Sequence, residues 1–264
     1  MISIDLTGRR ALVTGANSGL GRSIALNLAA AGARVGVHYL SDRAAAQTVV
    51  SEIAATHPAT APAAVFGADV SQPEQVDRMF AEVDTAFGGL DILVNNAGLD
   101  GPRQPCADSD SAQWQTVINV DLQGPYYCTR QALRRMLPQQ RGVILQITSV
   151  HEFIPWAGYS AYTSAKAALS MFTKTVAQEV ATQGVRVLAI APGAIRTSIN
   201  VDVWSHPDSL RDLDKKIAMA RPGDPDEIGR VAAFLASDLA SYITGTTLAV
   251  DGGMLIYPDF SHGG

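Results

Sequence analysis

The feature that most constrains this chain is an alternation. Short β-branched runs recur along it: "RALVTG", "RVGVHYL", "AAVFGAD", "LDILVNNAG", "GVILQITS", "VRVLAIAPG" and "TTLAVDGG". Between them stand alanine- and leucine-rich stretches of helical periodicity, from "GLGRSIALNLAAAG" to "PDEIGRVAAFLAS". A strand that is apolar along its whole length needs cover on both faces. A helix after each strand supplies that cover and carries the chain back for the next parallel strand. The seven runs therefore predict an α/β fold, a parallel sheet with helices on both faces. Several runs end in Gly, Asn, Asp or Ser, at the edge where an open sheet of this kind collects its ligands. With no internal repeat or linker, 1–264 reads as one domain. The polar segment 197–224 breaks the alternation and reads as a lid over a site.

Composition narrows the ligand. Hydrophobic residues make up 47% and charged ones 17%, so the chain can bury a sizeable core. The net charge is −5 and no run of Lys or Arg offers a surface to nucleic acid or an anionic membrane. No stretch approaches the roughly 20 apolar residues of a spanning helix, and the N-terminus has no basic n-region followed by an apolar h-region. Cys106 and Cys128 are the only cysteines, which suits a reducing, cytoplasmic compartment. His38, His57, His151, His206 and His262 are scattered without zinc-ligand spacing, so no metal site is expected.

"TGANSGLGR", residues 14–22, follows the first strand and opens the first helix. Gly15, Gly19 and Gly21 let the backbone approach a pyrophosphate closely, and the helix N-terminus offers it free N–H groups. The end of the second strand sorts NAD from NADP, because an acid there binds the ribose 2′-OH and repels a 2′-phosphate. Tyr39 stands where that acid is expected, and Asp42 comes too late. Arg22 and Arg43 can face a 2′-phosphate, with Ser41 as a hydroxyl donor, or can be solvated helix residues. The balance favours NADP with NAD tolerated. Asp69, at the third strand end, can accept from the adenine amino group or cap the helix beginning near Pro73.

In "YSAYTSAK", Tyr162 and Lys166 lie one helical turn apart on one face. A cation beside a phenol favours phenolate and makes it a better acid–base group. The same spacing also fits an amphipathic helix with a snorkelling lysine. The rest of the chain decides. "NNAG" (Asn95 to Gly98) ends the fourth strand and Thr148–Ser149 ends the fifth. Ser149 stands thirteen residues before Tyr162, and Pro192–Gly193 ends the sixth strand with Thr197 just beyond. With the glycine loop, this set resembles the short-chain dehydrogenase/reductase family over essentially the whole chain.

That resemblance implies a Rossmann-like, doubly wound, seven-stranded fold and NAD(P)-dependent hydride transfer between an alcohol and a carbonyl. It implies Tyr162 as general acid–base and Lys166 as the residue that lowers its pKa and holds the nicotinamide ribose. Ser149 would hold the substrate oxygen, and Asn119 would support a water relay to the lysine. The implied cofactor lining comprises Gly15, Asn17, Ser18, Gly19, Leu20, Gly21, Arg22, Tyr39, Ser41, Asp69, Val70, Asn96, Ala97 and Gly98, then Tyr162, Lys166, Pro192, Gly193, Ile195 and Thr197. Within the family, "TSVHEFIPW", "PGAIRTSIN" and the C-terminal stretch are similar to glucose dehydrogenases, which implies a sugar substrate met by Asp100, His151 and Asn200. A 3-oxoacyl thioester or general carbonyl reductase is the alternative, although a lid with mixed charges does not suit an acidic acyl-carrier partner. A non-catalytic cofactor sensor is a further alternative. The turn-rich C-terminus, as in family members, implies a homotetramer.

Overall fold

The computed structural model describes residues 3–58, 60, 62–197 and 201–256, with nothing said of the side chains of 202 and 203. All seven expected runs are strands: β1 Arg10–Val13, β2 Arg34–Tyr39, β3 Ala64–Gly67, β4 Ile92–Asn95, β5 Gly142–Ile147, β6 Val185–Pro192 and β7 Thr247–Val250. They form one seven-stranded sheet in the order β3-β2-β1-β4-β5-β6-β7. Every pairing is parallel. The order reverses between β1 and β4, where Val13 pairs with Val94. Connections leave this point in opposite directions, so a crevice opens beyond the carboxyl ends of these two strands.

The helices are α1 Gly19–Ala30, α2 Arg43–Thr56, α3 Pro73–Phe87, α4 Ser111–Ile118, α5 Gly124–Met136, α6 Ser160–Val180, α7 Val201–Trp204, α8 Pro207–Asp214 and α9 Pro225–Ala236. Successive strand residues point to opposite faces. Val13, Val35 and Val37 therefore pack with Ile24 and Leu28 of α1 and Ile228 and Leu235 of α9. On the other face, Leu12, Leu93 and Ile144 pack with Phe80 of α3, Met136 of α5 and Val176 of α6. α1 and α9 approach closely because Gly229 has no side chain. A Cβ there would meet the Ser23 carbonyl at 2.9 Å.

The stretch "SAQWQTVINVDLQGPYYCTRQALRRML" has the pattern of one continuous helix, but it is broken. A π turn, Asn119–Gln123, separates α4 from α5. The cause is local. Pro125 has no N–H to give the carbonyl of Asp121, so the ordinary i→i−4 bond cannot form there. Gly124 lets the turn sit against β3's exit, since a Cβ on it would lie 2.9 Å from Val70 Cγ2. The extra residue in this turn leaves Asp121 fully buried.

Candidate active site

A cavity of about 880 Å³ opens at the carboxyl edge of the sheet. Its first wall is the glycine loop. Gly15 and Gly19 have φ of +60° and +54°, conformations that favour glycine. A Cβ on Gly21 would collide with the Gly15 carbonyl oxygen. Asn96 ties the loop to β4, its Nδ2 donating to the carbonyls of Thr14 at 2.9 Å and Gly15 at 3.1 Å. The N–H groups of Asn96 and Ala97 in turn donate to Thr14 Oγ1. Ser18, at the N-cap of α1, makes no side-chain cap bond. The first amides of α1 therefore stand without a capping acceptor, on residues that line the cavity. Asn17, Leu20 and Gly98 line it too, and Pro192, Gly193, Ile195 and Thr197 form the opposite lip. A Cβ on Gly19 would come within 3.8 Å of Thr197 Cγ2 across the cleft. A narrow glycine cradle at a helix N-terminus fits the pyrophosphate of a dinucleotide.

The adenosine end is built differently from expectation. Leu40, Asp69 and Val70 line it, and so does His38, which sequence reasoning missed. The His38 Nδ1 accepts the Gly15 N–H at 2.9 Å and its Nε2 donates to the Ala68 carbonyl at 3.0 Å. Burial pushes its pKa down to about 4, against the Ala68 carbonyl and Asp69. Arg22, Tyr39 and Ser41 do not line the cavity. Arg22 is paired with Glu52 of α2 at 2.5 Å. The Tyr39 ring lies against Gly67, where a Cβ would sit 2.8 Å from its hydroxyl. Ser41 and Arg43 are exposed, and Asp42 caps α2 through the Ala45 N–H. Asp69 does not cap α3, whose N-cap is Gln72. It faces the cavity with Oδ1 accepting from the Ser71 N–H and hydroxyl.

The chemistry concentrates where β4, β5 and α6 converge. Ser149 follows β5 and accepts the His151 N–H at 3.2 Å, and its side chain hydrogen-bonds Tyr162. Lys166 stands one turn along α6 with Nζ 5.5 Å from the centre of the Tyr162 ring. It donates to the Ile147 carbonyl at 3.1 Å. Its Nζ also lies 3.0 Å from Oδ2 of Asp121, whose Oδ1 accepts the Leu99 N–H at 2.9 Å. Gly98 makes room for this pair, because a Cβ on it would fall 2.9 Å from Asp121 Oδ2. Asn119, the residue expected beside the lysine, is not there. Its Oδ1 accepts from Gln115 Nε2 at 2.7 Å, and it does not line the cavity. The π turn puts Asp121 in that place instead. Only Pro125, four residues after Asp121, hinted at the broken register.

The electrostatics follow. Burial, with Asp100 and Asp121 adding to it, raises the Tyr162 pKa above its ordinary value against Lys166 and Ser149. Lys166 lowers the phenol's pKa, as its position one turn along the helix led one to expect, but alone it does not outweigh burial. Burial works against the Lys166 ammonium, but Asp121, Tyr162 and Asp100 carry its pKa upward overall. Burial likewise lifts Asp121, opposed by Lys166 and the Leu99 N–H. It lifts Asp100 as well, where Asp121 adds to it and Lys166 and His151 oppose.

Asp100 and His151 both line the cavity near this corner, and Asn200 lies outside the described residues. His151 Nδ1 bonds the Ile154 carbonyl at 3.2 Å. Its ring stacks on Trp156 at 4.5 Å, and Trp156 stacks on Tyr159 at 3.9 Å. Two rings that close would overlap if they shared one face of the indole, so both faces of Trp156 are covered. Trp156 is thus a wall that fixes His151 rather than a platform for a sugar. Ser209, Asp212 and Leu213 of α8, with Lys216, also line the cavity.

A family model described as enoyl-(acyl carrier protein) reductase matches residues 15–255. A 3beta-hydroxysteroid dehydrogenase from Eggerthella lenta is 43% identical over 260 residues, 98% of each chain. The chain belongs to the short-chain dehydrogenase/reductase family. A 3-oxoacyl-[acyl-carrier-protein] reductase from Synechocystis is 40% identical, covering 96% of this chain and 99% of its own. Glucose 1-dehydrogenase 2 of Bacillus subtilis is 38% identical, covering 96% and 97%. A solved structure assigned as a gluconate dehydrogenase from Agrobacterium tumefaciens superposes with a TM-score of 0.91 at 34% identity, over 97% and 99% of the two chains. The chain is an oxidoreductase acting on CH–OH groups, in a family that uses NAD(P).

Proposed function

We propose that the chain oxidises, or forms by reduction, a secondary alcohol that carries a further hydroxyl group, with a sugar or polyol as the first candidate. The observation that carries this reading is the corner itself. Ser149 and Tyr162 stand beside two acceptors, the Asp100 carboxylate and His151. With its Nδ1 donating to Ile154, the neutral His151 ring keeps Nε2 as an acceptor for a substrate O–H. Resemblance to glucose dehydrogenases supports the same reading. A second reading, a rigid apolar alcohol such as a hydroxysteroid, is favoured by the Leu99, Ile154, Pro155, Leu213 and Met254 wall and by the Eggerthella lenta relative.

When bound, the nicotinamide dinucleotide accepts or gives the hydride. The chain does the rest. The glycine loop and the first turn of α1 receive the diphosphate. Ser149 holds the substrate oxygen, and Tyr162 takes its proton in oxidation or gives one in reduction. Lys166 keeps a positive charge beside that proton transfer and would hold the nicotinamide ribose. NADP is the proposed preference, with NAD tolerated. Among the described residues the only carboxylate lining the adenosine end is Asp69, already engaged by Ser71, while Ser41 and Arg43 stand exposed after Leu40.

The chain is proposed to act as a single cytoplasmic domain with 197–224 as its lid. It is proposed to assemble as a homotetramer through the apolar surface of Leu239, Tyr242, Leu248 and Ile256 at and around the edge strand β7. Light scattering on the purified protein checks the assembly. NAD(P)H formation with aldoses, polyols and hydroxysteroids, and its consumption with 3-oxoacyl thioesters, tests the substrate. Fast turnover of sugars that falls in Asp100→Asn and His151→Ala supports the first reading. Turnover of hydroxysteroids alone replaces it with the second.

A further inference from the structure

Asp121 is a charged side chain with no access to solvent, on a turn of unusual geometry, and the chemistry described so far does not use it. Its carboxylate meets one backbone N–H and one ammonium, that of Lys166. An isolated buried charge is strongly disfavoured, so each member of the pair needs the other. We propose that Asp121 is the positioning residue of this site: as the counter-ion of Lys166, it fixes the ammonium between Tyr162 and the Ile147 carbonyl and sets the pH at which the Tyr162–Lys166 pair turns from acid to base. The proposal rests on the reading of Tyr162 as the acid–base group.

The charges facing the pair can be named from each element packed on it. Lys166 lies on the same helix as Tyr162. Asp121 comes from the π turn, Asp100 from the loop after β4, and His151, ring-to-ring 6.4 Å from Tyr162, from the turn after β5. His151 is neutral, because burial lowers its pKa against the Ile154 carbonyl and Asp100. Two carboxylates thus surround one ammonium. The cluster is negative once Asp100 ionises, and a negative cluster holds a proton more tightly on the pair. Taking away the Asp121 charge must loosen that proton, whichever of the two groups releases it. A residue with a merely structural role would change the rate without moving the pH dependence.

The experiment is the pH profile of kcat/KM for alcohol oxidation in the wild type, Asp121→Asn and Asp121→Glu. The asparagine keeps an oxygen for the Leu99 N–H and loses only the charge. Its activity-gaining limb is expected about one to two pH units lower, from one unit charge removed at short range. The glutamate should keep the wild-type limb. A limb that stays in place in Asp121→Asn while the rate falls overturns the proposal. If Asp121→Asn fails to bind NAD(P)H, Asp121→Ser, which likewise removes the charge, carries the same test, and an unmoved limb there overturns it too. Wild-type turnover by Tyr162→Phe would instead sink the underlying reading of Tyr162, so the two failures are distinguishable.

Discussion

Among the described residues two carboxylates are almost wholly withdrawn from water, Asp91 and Asp121, and they behave in opposite ways. Asp91 sits just before β4, at the amino edge of the sheet. It accepts from the Arg10 backbone N–H, from Arg10 Nε at 2.6 Å and Nη2 at 3.1 Å, and from Arg141 Nη2 at 2.8 Å. Burial would raise its pKa, but the hydrogen bonds from Arg10 and Arg141 outweigh it and hold the pKa below the usual range. Asp121 lies at the carboxyl edge with one N–H and one ammonium, and burial leaves its pKa raised. A fully satisfied ion cluster closes the bottom of the sheet. An under-satisfied one stands beneath the site at the top, where a group that can gain or lose a proton is useful. Stability and chemistry are divided between the two edges.

The first way to break this comparison is at the top edge. Tyr162→Phe is expected to lower kcat/KM by about three to four orders of magnitude, the upper range for a lost acid–base group. The thermal midpoint and NAD(P)H binding should stay near wild type, as read by calorimetry and cofactor fluorescence. At the bottom edge the opposite is expected. Asp91→Ala leaves Arg10 without its partner and should cost about 3–5 kcal/mol of stability in urea titration. The surviving folded enzyme should keep its pH–rate profile. A lowered carboxyl pKa contributes stability above the unfolded-state value that is lost as the pH falls through the folded one. The acid limb of wild-type unfolding should therefore flatten in Asp91→Ala.

His38 blurs the division, since it belongs to the top edge and yet supports the fold. It is neutral, with a pKa near 4 against 6.5 for the unfolded chain. Between those values the unfolded state binds the extra proton, so stability rises with pH across the window and is lost as pH falls from 6.5 to about 4. The full effect is roughly 3 kcal/mol at 1.36 kcal/mol per pH unit. His38→Gln should remove that slope and weaken dinucleotide binding through the loosened Gly15 amide, measured by unfolding at several pH values and by titration with NAD(P)H.

How much of this was legible beforehand follows the range of the interactions. The strands and the glycine loop were legible because they depend on short, continuously apolar β-branched runs and on backbone freedom at Gly15 and Gly21. Tyr162 and Lys166 were legible because four-residue spacing on a helix is local. Asp121 was not, because a helical pattern does not show where one residue is inserted, and the family resemblance pointed to Asn119. The pairing of Arg22 was not legible, because its partner, Glu52, lies a helix away and nothing near Arg22 announces it.

The smallest expected effect sharpens that last point. Glu52→Gln removes the partner of a half-exposed arginine, an interaction worth up to about 1 kcal/mol. It should shift the ratio of kcat/KM for NADP to that for NAD upward by at most about fivefold, by leaving Arg22 available to a 2′-phosphate. An unchanged ratio would show that Arg22 is remote from the cofactor.

The most direct test of the division between edges is one paired assay on wild type, Tyr162→Phe and Asp91→Ala: the rate of NAD(P)H formation with the best alcohol, set beside the free energy of unfolding. The account predicts that Tyr162→Phe loses rate and keeps stability, while Asp91→Ala loses stability and keeps rate per folded molecule. Retained turnover in Tyr162→Phe would contradict it, because the proton transfer would then belong to another group.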